Sequence, residues 1–313
     1  MKSQRYGDTV VKVQDDRNDK AKGNDLTFHF PNFKSVVDVA SLPAPDHLSS
    51  FALASHQDMG DKSWDLGVDF DGAVKLANTG WNKHMAAVMK RRDLLVKRVA
   101  RQVPKTAVVY DVEGMDFDIG RVMDGEPEHW IDMVADTSVE AGKGDKLRRV
   151  VVNVSNDYRV KAKTIVAKGI LIASLVALME FAGMNVQLEI GSAIGSDNRK
   201  WRWQWVAPFK RYSDALNLPK IMYAVAHPTM LRRIVFGLKE NLSTLNHCKG
   251  GYSPKAIGVP HGGYGSVMGL SRDLHGDIYI DNKTIPVDKL DDDDYLADWL
   301  LEQLRRQGVQ VTT

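Results

Sequence analysis

The stretch from Arg148 to Ile190 constrains this chain more than any other, because it reads as strand, helix and strand in succession. It opens on Arg148-Arg149-Val150-Val151-Val152-Asn153-Val154-Ser155, a short apolar run rich in β-branched residues. From Lys161 to Ala182 the residues Ile165, Val166, Ile170, Leu171, Leu175, Leu178, Met179 and Ala182 recur at steps of three and four, which predicts a helix. Gly183 stands where a left-handed cap is needed. Val186-Gln187-Leu188-Glu189-Ile190 closes the unit as a second apolar strand. Two apolar strands around one helix imply parallel pairing in a sheet covered on both faces, with a right-handed crossover. The run Ile165 to Ala182 has the length of a membrane span. Lys168 and Gly169 lie inside it and strand-like segments flank it, which marks a core helix instead.

The tip of the first strand is where an α/β fold places its ligands. Here it reads Asn153-Val154-Ser155-Asn156-Asp157. Two readings stand. Ser155 and Asp157 could donate oxygens to a divalent cation, weakened because Asn153 takes the place of a charged first ligand. Alternatively, the segment is a turn whose Asp or Asn caps the next helix.

The length of 313 residues allows one large domain or two ordinary ones. Charge divides it into a mobile charged N-terminus (1–25), a partly helical and acidic region (26–145) and an α/β domain (146–313). Lys and Arg total 42 against 40 Asp and Glu, so no global field drives the chain onto nucleic acid. A single cysteine, Cys248, excludes an internal disulfide framework and fits a reducing compartment. Met1 to Asn24 has no apolar core of the kind a signal peptide needs. A cytosolic protein without a membrane partner is expected.

Local charge is less even than the total. Between Asn82 and Gln102 a helix is expected in which Lys83, Lys90, Arg91, Arg92, Lys97, Arg98 and Arg101 face one acid, Asp93. It is either a solvated basic face or a phosphate-binding one. Glu113 to Glu140 is acidic, with Asp116 and Asp118 following the strand-like Thr106 to Asp111. It reads as a negative surface, or as carboxylates for a cation or for acid–base work. Lys200-Trp201-Arg202-Trp203-Gln204-Trp205 alternates, placing Trp201, Trp203 and Trp205 on one face and Lys200 and Arg202 on the other. Buried, the indoles are core; exposed, they would be a base-stacking platform. Asp214 to Glu240 predicts two helices broken at Ala226-His227-Pro228. Tyr295 to Arg306 predicts a last amphipathic helix, preceded by Asp291 to Asp294.

Four segments together resemble an uncharacterised family from tailed bacteriophages with a degenerate von Willebrand A-like core. They are Ala73 to Trp81, Tyr110 to Trp130, Val151 to Gly183, and Tyr223-Ala224-Val225-Ala226-His227-Pro228 with Arg232-Arg233. The resemblance implies a phage protein acting in the host cytoplasm, and it supplies no catalytic residues. The fold expected is α/β, with a mostly parallel central sheet built from the strands at Arg149, Val186, Arg202 and Ile278. Helices would flank this sheet in a von Willebrand A-like or Rossmann-like manner. The leading functional expectation is a non-enzymatic cofactor of transcription or replication that binds nucleic acid, single-stranded DNA preferred. It would use Lys83, Lys90, Arg91, Arg92, Lys97, Arg98, Arg101, Lys200, Arg202 and Trp203, and its acidic segments would meet a phage RNA polymerase or replication protein. The alternative is a von Willebrand A-like interaction or assembly module without catalysis, meeting its partner at Ser155 and Asp157. A third class is an enzyme using Asp111, Asp116 and Asp118. No cofactor is called for beyond the divalent cation considered at Ser155 and Asp157.

Overall fold

The expected strand–helix–strand unit forms and lies at the centre of the protein. The computed structural model describes residues 1–16, 25–43, 55–56, 62–99, 106–111, 116–117, 119–128, 130–135, 147–157, 160–195, 202–242, 266–290 and 292–307. From the N-terminus, β1 (Lys2–Tyr6), β2 (Thr9–Asp15) and β3 (Asp25–His29) lead into α1 (Phe33–Ala40), α2 (Lys62–Asp65), α3 (Phe70–Thr79) and α4 (Met85–Val99). Next come β4 (Thr106–Asp111), β5 (Asp116–Phe117), α5 (Ile119–Met123) and β6 (Trp130–Ala135). The central unit is β7 (Leu147–Asn153), α6 (Ala162–Phe181) and β8 (Asn185–Gly195). After it come β9 (Arg202–Lys210), α7 (Leu218–Ala226), a π-helical turn (Met230–Val235), α8 (Phe236–Leu242), β10 (Ser266–Val267), β11 (Ile278–Ile280) and α9 (Asp293–Arg306).

The main sheet runs β1-β2-β3-β9-β8-β7-β11, and β10 pairs with the far end of β8. The four strands expected from sequence are therefore neighbours. The sheet is mixed rather than mostly parallel. β7 is parallel to β8 and β11, and β3 to β9, while β8 and β9 are antiparallel. The connection between Gly195 and Arg202 is too short for a crossover, so the chain can only return antiparallel. A separate three-stranded antiparallel sheet has the order β4-β6-β5.

Residues expected to be a mobile N-terminus form the β1–β2 hairpin, turned at Gly7 with φ +54°, and β2 pairs with β3. The cause is alternation: Val11 and Val13 are buried while Val10 and Lys12 face out. The hairpin shares one hydrophobic cluster with the rest, running from Tyr6 to Leu304. That cluster ignores the boundary expected near residue 146. Helix α1 stands in a segment, Leu26 to Leu48, that reads from sequence as a short strand or extended arm followed by a loop. Its signal is ordinary, since Phe33, Val36, Val37 and Ala40 fall on one face and Asn32 caps the helix by accepting a bond from the Ser35 N–H.

Helix α6 is apolar on every side, and every residue from Leu171 to Met179 is buried. It lies between the sheet and helices α4 and α7, which explains a membrane-length apolar helix inside the fold. Of its most apolar window, 72% is buried. Gly169 is where α7 crosses it, and a methyl group there would overlap the Ala226 backbone. Each fully buried aliphatic side chain in this layer contributes about 1.5–3 kcal/mol. The helices that share the large cluster all pack on one face of the sheet. The other face carries Val151, Ala193 and Val206 under Leu270 and Leu274, with Met268 and Tyr279 packed against them.

Candidate functional site

The residues expected to bind nucleic acid do not share one surface among those described. Lys83 and Lys90 are exposed. Arg91 is paired with Asp293 at 2.7 Å and Arg92 with Asp93 at 2.6 Å. Trp203 is 2% exposed, packed on Phe28, with the Lys239 ammonium 5.9 Å from its ring centre. It is core and cannot stack on a base. Arg202 points to the opposite face of β9 and pairs with Asp25 at 3.2 Å. The side chains of Lys97 and Arg98, and residues Lys200 and Arg101, lie outside the described residues. The backbone pairs Asp111 with Trp130 and Asp116 with Ile131 on β6; Asp118 lies outside the described residues.

The tip of β7 is structural in its bonding. Ser155 is buried, and its hydroxyl meets Ser192 Oγ at 2.8 Å, donates to Ala193 O at 3.1 Å and accepts from Ala193 N at 2.9 Å. It thereby fills the edge of β8 between the end of β7 and the end of β10. Asn153 accepts from the Ser155 N–H and donates to Met268 O at 2.8 Å. Asp157 is half-buried beside it. Among the described residues no group of three or more His, Cys, Asp or Glu side chains is placed to hold a metal ion.

Charged groups gather instead inside the fold, around the π-helical turn. Pro228 interrupts the helical run, and the turn carries Arg232 and Arg233, both buried. Arg233 pairs with Asp65 and donates to Ser55 O at 2.9 Å. Arg232 donates to the carbonyls of Trp64 and Val160. Glu240 accepts from the Ser55 backbone at 3.1 Å and from its hydroxyl. These bonds hold Ser55, Trp64 and Asp65 against the π-helical turn and α8. Burial drives Lys239 down to about 7, with Glu240 opposing, and His227 down to about 4, with Asp65 opposing.

Two concavities stand out among the described residues. One, of about 360 Å³, lies at the carboxyl ends of the parallel pair β3 and β9, where α1 and α7 begin. Its cations are largely engaged. Lys34 holds Asp38 at 2.6 Å, and Lys210 holds Glu180 at 2.8 Å. Asp214 adds a negative charge and Pro219 removes a backbone donor from the start of α7.

The second, of about 460 Å³, is lined by Tyr279, Thr284, Tyr295, Asp298, Trp299, Glu302, Gln303 and Arg306. Helix α9 buries Leu296, Leu300 and Leu304 in the main core, and its Tyr295 and Trp299 lie on the neighbouring stripe, half-exposed. Tyr279 comes from the opposite face of the sheet, where its hydroxyl accepts from Leu270 N at 2.9 Å and its ring stacks on His275. Burial raises the Tyr279 phenol, which stays neutral. A cleft lined from both faces must bracket the edge of β11, the last strand of the sheet. Asp298 has no hydrogen bond or ion pair among the described residues, whereas Glu302 holds Arg306 at 3.1 Å. Sequence reading missed this site. Its signal was the Tyr295–Trp299 spacing of four, one position away from the leucine stripe.

The arrangement defines an α/β protein with a mixed central sheet and helices packed against it. Residues 10–311 match the model of a family described as Domain of unknown function (DUF7192), and the chain belongs to that family. No match was found among curated proteins or among solved structures.

Proposed function

We propose that the protein is a non-catalytic interaction module that meets a partner protein at the cleft between α9 and β11. The single observation carrying this reading is the cleft itself: three part-exposed aromatic rings around a free carboxylate at a sheet edge. Aromatic side chains are enriched in protein interfaces because they bury much area at little entropic cost. A von Willebrand A-like version of the reading would put the contact at the tip of β7. There the Ser155 hydroxyl is already committed to β8, which weakens that version. A nucleic-acid role would rest on the α4 cations, since Trp203 and Trp205 are core.

The test is selection of a displayed random-peptide library on the folded chain. Enriched peptides should compete for one site, lose binding in W299A and keep it in K220E. Peptides indifferent to W299A would remove the cleft from the reading. Anisotropy of a labelled single-stranded oligonucleotide should show no tight binding at low salt. Tight binding that falls steeply with salt would move the function to α4, because neutralised phosphates release counterions.

A further inference from the structure

An open sheet edge beside a helix is a place where an extended chain can add as one more strand, gaining main-chain hydrogen bonds. β11 is such an edge: β7 pairs with one side of it, and no described strand pairs with the other. α9 and Tyr279 form the two walls. The charges of the walls favour one kind of side chain. Asp298 is free among the described residues, and Tyr295 and Trp299 present rings beside it. One of these rings already attracts a cation, since Lys289 Nζ lies 5.6 Å from the Tyr295 centroid while pairing with Asp292 at 3.6 Å.

We infer that the cleft takes an extended segment of a partner protein as an added strand on β11, with an arginine or lysine of that segment seated between Asp298, Tyr295 and Trp299. This inference rests on the interaction reading above and specifies its occupant. A guanidinium suits the place best, because it stacks on an indole while donating to a carboxylate. An acidic segment would meet the Asp298 carboxylate and be repelled, since Glu302 is already held by Arg306.

The experiment uses three synthetic peptide pools of about ten residues, enough to span a strand. Val or Thr occupies every second position, and one intervening position carries Arg, Gln or Glu. Anisotropy measures binding to the full chain, and hydrogen exchange follows the amides of Ile278–Ile280. The Arg pool should bind tightest and the Glu pool weakest. W299A should weaken the Arg pool about 30-fold or more, as for a buried aromatic anchor. D298N, at an exposed position, should weaken it about three- to fivefold. At least one amide of Ile278–Ile280 should exchange more slowly in the complex. Equal binding of the Gln pool would overturn the basic occupant and leave the interaction reading standing. Binding without slowed exchange would overturn strand addition. Self-association abolished by W299A would make the occupant a second copy and overturn the assignment to a partner. If no pool binds while displayed peptides do, this inference falls alone; if neither binds, both fall.

Discussion

Lys239 shows how a single residue can carry charge inside this fold. Its ammonium lies 5.5 Å from the Phe236 ring and 5.9 Å from that of Trp203, and burial lowers its pKa from 10.5 to about 7. The unfolded chain therefore holds more protons between those values, so stability rises with pH from about 7 to about 10.5. Below about 7 the cost of the buried charge is fully present. His227 acts in the same sense at lower pH: with its pKa lowered from 6.5 to about 4, stability falls as acid is added across that window. K239M should flatten the alkaline slope and raise stability at pH 7 by a few kcal/mol. Urea midpoints at a series of pH values check this, and an unchanged slope would mean that the ammonium is fully satisfied where it lies.

The crossing of α6 and α7 decides more than any other contact between elements. Both helices are predictable from periodicity, but their distance is set by Gly169, whose missing side chain lets the Ala226 backbone approach. G169A gains helix propensity of about 1 kcal/mol and loses the fit between two rigid backbones. Overpacking of that kind costs about 1–3 kcal/mol, so the net should be a lower denaturation midpoint despite the better helix former. A higher midpoint would show that the helices can slide apart. α4 illustrates the opposite case. Its lopsided charge is plain in the sequence, yet Arg91 serves to hold the start of α9 through Asp293, a contact that no local pattern announces.

At the scale of the whole molecule, one hydrophobic cluster joins the N-terminal hairpin to the last helix. The sheet crosses every boundary that charge and composition suggest. Unfolding should therefore be a single cooperative transition, with intrinsic fluorescence and far-ultraviolet circular dichroism changing together. Two separated transitions, with one assignable to residues before 146, would restore a two-domain description. The separate β4-β6-β5 sheet is the part whose earlier loss would be least surprising, since it builds its own hydrogen-bond ladder.

Sequence alone determined the elements whose periodicity is long or doubled. These are the β7–α6–β8 unit, the adjoining strands β9 and β11, the break at Pro228 and the last helix. Period and capping are local properties, readable without knowing what lies opposite. Tertiary structure decided what those patterns face. It made Trp203 core rather than platform, turned the Ser155 hydroxyl onto β8, and made the sheet mixed by returning β9 antiparallel. It also set Tyr279, Tyr295 and Trp299 around one edge strand, although they come from opposite faces of the sheet. Burial and convergence depend on which segments meet across the fold, and a linear pattern holds no record of that.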